Sequence, residues 1–304
     1  MNIISIFFQK CSIGNKTYFF YVPIYLFMSF FVLNSIEFFP DYSNYNQYIE
    51  KGTYQLRFLY EPFTALLMYY PEKYNWGALG YYYVVWFLSS AILFLIPMLY
   101  GRRYIVFVVF ILFNPITIVL FQTPRQFISF CFFVTSLFFL LKLKTLFLSL
   151  GLLSHTISGF VSISFALLLS LKRRLFFISL IFGFFLFWYI SRSAYSFYLV
   201  EEEIQRGVGR LAYFSLLFFL LVFLSLKKPF FEKLIFSSLF VFVLILYIQT
   251  PYAGRLLPYF LVLFSLYLFN SFSSKITNLI VVSFFLMSIV FSFFIVLLGM
   301  FGYG

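Results

Sequence analysis

The sequence predicts an all-α polytopic membrane protein, and three observations carry that prediction. Mean hydropathy is +1.01, with 63% hydrophobic and only 10% charged residues, against about 25% charged in a soluble domain. Apolar stretches of roughly 20 residues, the length a helix needs to cross a bilayer, follow one another almost from end to end. The lysines and arginines fall in short clusters between those stretches and sort by side. The 52 Phe and 25 Tyr are read mostly as lipid-facing and interfacial aromatics, so only aromatics in polar loops are singled out. A net charge of +12 is read as an orientation signal rather than a nucleic-acid footprint. Cys11 and Cys131 stand before the first span and inside a later one, which predicts neither a disulfide nor a metal-ligand pattern.

Nine full spans are expected, near 17–36, 78–100, 104–121, 127–141, 175–190, 211–226, 234–248, 256–270 and 276–300, in a single membrane domain over 1–304. Lys10 and Lys16 precede the first apolar run, which exceeds a signal h-region and lacks a small-residue cleavage pattern, so it reads as a retained signal-anchor. With the N-terminus cytoplasmic, the inside loops hold Lys10, Lys16, Arg102, Arg103, Lys142, Lys144, Lys172, Arg173, Arg174, Lys227, Lys228, Lys233 and Lys275. Lys51, Arg57, Lys73, Arg125, Arg192, Arg206, Arg210 and Arg255 fall outside, where Glu37, Asp41, Glu50, Glu61, Glu72 and Glu201 to Glu203 offset them. The excess of basic residues inside supports this orientation.

The stretch 145–171 breaks the pattern. It lies between "KLK" and "KRR", two clusters that belong on one side, and its middle reads "LLSHTISGF". Its two arms, 145–153 and 158–171, rise roughly 14 and 21 Å at 1.5 Å per residue, short of about 30 Å of hydrocarbon. A broken-helix hairpin with His155 at its outer apex is therefore expected. Irregular backbone at that depth is tolerated only inside protein or beside a water-filled cavity, so His155 is placed in a polar cavity open to the outer leaflet.

The remaining polar residues converge on that outer face. The loop 37–77 carries Asp41, Tyr42, Tyr45, Tyr48 and Glu61, and "EPFTALLMYY" at 61–70 reads as an interfacial helix capped by Glu61. A spacing of three puts the tyrosines on one helical face, either a sugar or headgroup platform or an aromatic belt. "FQTPRQF" at 121–127 and "IQTPYAGR" at 248–255 each place an arginine after a proline between apolar runs. Pro124 fits the first turn of a helix. Arg125 and Gln126 then stand at an N-terminus that favours anions, and the arginine fork suits phosphate. The same holds less tightly at Arg255, after "QTPYAG". The competing reading for Arg125 is snorkelling or an ion pair to Asp41 or Glu61. "EEE" at 201–203 reads as a solvated loop, and "GVGR" at 207–210 is too short for a phosphate loop.

"PDYSNYNQY", "EPF", "PRQF", "LLSHTISGF" and "GRLLPYF", in that order over residues 35–260, resemble the EpsG-like and Wzy-type polysaccharide polymerases. The resemblance implies a glycosyltransferase in the bacterial cytoplasmic membrane, with its working face outward. Such enzymes move a growing glycan from one polyprenyl (undecaprenyl) diphosphate carrier to the terminal sugar of another carrier-linked repeat unit, alongside a chain-length regulator. Under that reading Arg125, Gln126 and Arg255 are candidates for the diphosphate, and His155 and Asp41 for the base. Tyr42, Tyr45, Glu61, Arg210 and Tyr259 are candidates for the sugar. No cofactor, no metal and no nucleic acid are expected, although Asp41 with Glu61 could hold one divalent ion. A related carrier-dependent glycosyltransferase or O-antigen ligase, and a lipid-linked glycan flippase, are the alternatives. The loop 191–210 is short for a ligase, and the one-sided polar cluster is unlike a transport path.

Overall fold

A computed structural model describes residues 18–39, 41–101, 104–139, 141–170 and 257–270, and among them every regular element is helical. Ten α-helices run in chain order: α1 Tyr18–Asn34, α2 Tyr42–Glu50, α3 Pro62–Lys73, α4 Gly77–Tyr100, α5 Tyr104–Phe113, α6 Pro115–Phe121, α7 Pro124–Ser136, α8 Leu141–Ser154, α9 Thr156–Ser170 and α10 Leu257–Asn270. Two 3-10 segments, Ile36–Phe38 and Thr53–Leu59, flank α2. The chain forms two compact units, one of residues 12–166 with 273–304, the other of 1–11 with 167–272. The spans expected at 175–190, 211–226, 234–248 and 276–300 lie outside the described residues.

In the first unit α4 is 24 residues long, about 36 Å at 1.5 Å per residue, and is long and apolar enough to cross a membrane. It matches the run expected at 78–100. The stretch 104–121 is not one helix: it stops at Phe113 and restarts at Pro115. Proline has no N–H to donate and disfavours helical backbone in the residue before it. The carbonyl of Asn114 accepts instead from the N–H groups of Thr117 and Ile118, both at 2.9 Å. The run expected at 127–141 begins three residues earlier, at Pro124, and ends at Ser136.

Helix α7 is the centre of this unit. Every residue in it except Arg125 is buried, the polar Gln126, Ser129, Thr135 and Ser136 included. It packs against α4 and α8. Trp86 of α4 stacks on Phe127 of α7, ring planes 4° apart and centroids at 5.8 Å, while Phe121 meets Trp86 edge-on at 4.8 Å. Phe107, Phe110, Phe113, Phe121, Phe127, Phe130 and Phe133 are all buried. Among the described residues much of the phenylalanine is therefore interior packing rather than the lipid-facing coat expected of it. On the other side of α7, Gly151 of α8 lies so close that an added Cβ would stand 3.3 Å from the Ser129 carbonyl.

The segment 37–77 is mostly helical rather than a loop. Gly52, at φ +64, turns the chain out of α2 into the second 3-10 segment, and Asn75 and Gly77 take positive φ between α3 and α4. A helix stands where one is expected near 61–70: α3, starting with Pro62 in its first turn. In the second unit, α10 buries Tyr259, Leu261, Val262, Leu263 and Leu266.

Candidate functional site

Glu61 is the hub. Its backbone occupies the N-cap position of α3, yet its side chain makes no capping bond, which corrects the cap expected of it. The carboxylate turns inward: Oε2 accepts from Nη1 of Arg57 and from Nη1 of Arg125, both at 3.0 Å. Charge-assisted bonds of this kind are about twice as strong as neutral ones, so the two guanidinium groups outcompete the helix N-terminus. Glu61 is 3% exposed and Arg57 8%, whereas the Arg125 side chain keeps 24% of its surface. Two cations on one carboxylate leave the cluster with an excess positive charge.

Three elements supply the groups. Arg57 comes from the 3-10 segment, four residues before Glu61, and the Glu61 N–H donates to the Arg57 carbonyl at 2.7 Å. Arg125 comes from the second position of α7, after Pro124, as the sequence predicts. Its Nε is buried and has no partner. Of the two alternatives for Arg125, the anion site and the ion pair, the structure contains the pair to Glu61. The free edge of the fork stays at the helix start, where the macrodipole favours negative charge. Gln126, next in sequence, is buried.

The third contribution is the break between α8 and α9. His155 is the residue at which one helix ends and the next begins, matching the expected interruption. Its Nδ1 accepts from the Ser158 N–H at 3.0 Å, the position an N-cap oxygen serves in most helices. That bond puts the neutral ring's proton on Nε2, and Nε2 stands 3.8 Å from Glu61 Oε1, in ion-pair range but beyond a hydrogen bond. Thr64 of α3 donates its hydroxyl to the Ser154 carbonyl, an orphan acceptor of the α8 C-terminus. Thr156 donates to the Tyr60 carbonyl at 2.9 Å. The break is thus bonded to both sides of Glu61. An added Cβ on Gly159 would stand 2.3 Å from Leu152 Cα, so the chain bends sharply at His155.

The tyrosines divide. Tyr45 is buried against Tyr81 at 5.4 Å and Tyr82 at 5.7 Å, a core residue rather than part of an open platform. Burial pushes its hydroxyl up to about 12, and the charge of the nearby Arg125 guanidinium pulls the other way. Tyr42 is half-buried, its hydroxyl raised by burial and by Glu37 and Glu50. Tyr48 alone of the three is exposed, its ring 4.9 Å from the Arg57 guanidinium carbon. Asp41 starts α2 without capping it through its side chain, and it adds negative charge near Tyr45.

The structure therefore brings together Glu61, Arg125 and His155, with Tyr45 beside them, and adds Arg57, which sequence reasoning passed over. The signal was available in the Arg57–Glu61 spacing of four, the spacing of a helical ion pair. Tyr259 is buried in α10 of the second unit. Arg210 and Arg255 lie outside the described residues. Among the described residues no three His, Cys, Asp or Glu side chains gather as a metal set. No family model matches this chain, and no curated protein or solved structure matches it either.

Proposed function

We propose that this chain is a polytopic polymerase of lipid-linked oligosaccharide repeat units, working at the outer face of the bacterial cytoplasmic membrane with its N-terminus inside. One observation carries the reading. "EPF", "PRQF" and "LLSHTISGF", three of the motifs that resemble the EpsG-like and Wzy-type polymerases, each give one side chain to the same buried carboxylate: Glu61 itself, Arg125 at 3.0 Å and His155 at 3.8 Å. Motifs retained only as helix starts and loop polarity have no reason to meet.

The chemistry asked of the site is transfer from a polyprenyl diphosphate. An acceptor hydroxyl attacks the anomeric carbon of the donor. The new C–O bond forms, the bond from that carbon to the diphosphate oxygen breaks, and the bonding pair stays on the carrier diphosphate. Preorganised cations at a developing charge are the largest single catalytic lever available to such a reaction. Arg125 is the partly accessible one, with Arg57 behind it and Gln126 next in sequence; Arg255, the other candidate from the sequence, lies outside the described residues. A diphosphate brings more charge than Glu61 and takes over the exposed edge of the Arg125 fork.

The acceptor proton needs a base. Because His155 Nδ1 receives the Ser158 N–H, the neutral ring has no lone pair turned to the Glu61 cluster. His155 is better suited to holding Glu61 than to taking a proton. Asp41 makes no ion pair among the described residues and is assigned the base.

Complementation tests the reading. In cells lacking the gene, wild type restores long surface polysaccharide, while Arg125→Ala at matched membrane expression leaves single capped repeat units. Long chains from the Arg125→Ala cells would contradict it.

A further inference from the structure

Outside the charged cluster, α2 presents an exposed polar face. Asn44, Gln47, Tyr48 and Lys51 recur at i, i+3, i+4 and i+7, one face of a helix, and all four are exposed. The opposite face buries Tyr45 and Ile49. Gly52 takes the left-handed conformation at φ +64, which an L side chain rarely adopts, and its turn brings Thr53 round beside the same face. The result is a cleft of about 310 Å³ lined by Asn44, Gln47, Tyr48, Lys51 and Thr53, at the small end of the roughly 300–1,000 Å³ of ligand sites.

We infer that this cleft is a saccharide subsite, holding the terminal sugar of a glycan; the inference rests on the polymerase reading and gives that reading its sugar site. Two amides, a hydroxyl and an ammonium present donors and acceptors at close spacing, matching the alternating hydroxyls of a pyranose. Tyr48 adds an aromatic ring, apolar in its body and polar at its tip. Its ring is braced by the Arg57 guanidinium at 4.9 Å, so it is held in place rather than swinging in solvent. The cleft has one ammonium and no arginine fork, which suits a sugar and not a second diphosphate. Arg57 is also 3.0 Å from Glu61. One residue thus touches both the cleft wall and the charged centre, as a transferase needs if sugar and diphosphate are to be held in one pose. The tyrosine platform is then reduced to Tyr48: Tyr45 belongs to the core.

The test uses the full chain in detergent micelles and a carrier-free probe, the repeat-unit oligosaccharides released by mild acid from the producing cells' own polysaccharide. Saturation-transfer NMR reads sugar binding, and calorimetry with inorganic pyrophosphate reads the charged centre of the same samples. Wild type binds both. Asn44→Ala with Gln47→Ala, two exposed positions where alanine favours helix, weakens the sugar about tenfold or more and leaves pyrophosphate unchanged. Tyr48→Phe, which keeps the ring, retains sugar binding. Equal sugar binding by wild type and the double variant, or none by wild type while pyrophosphate binds, overturns the cleft. Sugar binding lost in the double variant with no pyrophosphate binding in wild type supports the cleft and sinks the polymerase reading instead.

Discussion

Arg125 Nη1 lies 3.0 Å from Glu61 Oε2 across 64 positions of sequence. That bond joins the start of α7, buried at every position but Arg125, to the entry of α3, and everything else in the candidate site is arranged around it. Its energetics give the first prediction. Removing one partner of a buried ion pair costs about 3–5 kcal/mol because the other charge is stranded. Glu61→Ala strands two guanidinium groups and is expected to lower the thermal midpoint strongly, with Glu61→Gln, which keeps acceptor and shape, losing less. Equal midpoints for Glu61→Ala and wild type in detergent would show that the pair is not formed.

His155 separates positioning from proton transfer. A general base typically contributes 10²–10⁴-fold, and neither alanine nor glutamine can serve as one at neutral pH. Glutamine keeps an N–H donor facing Glu61, where the imidazole Nε2 stands 3.8 Å from Oε1. The expected outcome is that His155→Gln retains most polymer length in complementation while His155→Ala shortens it. Loss of the same size in both variants would return the base to His155.

Gly159 gives a packing prediction. A methyl group there would stand 2.3 Å from Leu152 Cα, against backbone that cannot swing aside. Overpacking of this kind costs about 1–3 kcal/mol. Gly159→Ala should lower the melting midpoint more than Gly151→Ala, whose Cβ meets the Ser129 carbonyl at 3.3 Å. The reverse order would mean that the bend at His155 is looser than described.

Tyr45 gives a pH prediction. Its hydroxyl moves from 10.0 to about 12 in the folded chain, chiefly through burial. A raised value means that the folded state holds the proton more tightly. Its contribution, roughly 3 kcal/mol at 1.36 kcal/mol per unit, is complete below pH 10 and is lost as pH rises through about 12. Tyr45→Phe should therefore be less sensitive than wild type to alkali between pH 10 and 12, read as the difference in unfolding midpoint. Parallel curves for the two proteins would contradict this assignment.

Much of this site was legible before the structure. Pro124 marked a helix start, and the polar run around His155 marked a break, because both signals are local: a missing N–H and an interruption in hydrocarbon. The partner of Arg125 could be narrowed to Asp41 or Glu61 but not chosen, since the choice depends on how α3 packs against α7. Arg57 was passed over because a buried cation in a polar segment looks like any solvated one until its neighbours are known. Pro115 is a breaker inside 104–121, a local signal that a reading by hydropathy alone does not register. Tyr45 and Tyr48 have the same residue type and nearly the same context, and only the packing of α2 on α4 sends one inward and leaves the other out.

The most direct measurement is a reaction of the purified chain in liposomes with polyprenyl-diphosphate-linked repeat units as the only substrate. The account predicts a ladder of glycans on the carrier, release of free polyprenyl diphosphate in step with each added unit, and neither product from Arg125→Ala. Unit-length glycan that stays unextended with the wild-type chain, or a ladder of the same length from Arg125→Ala, would contradict it.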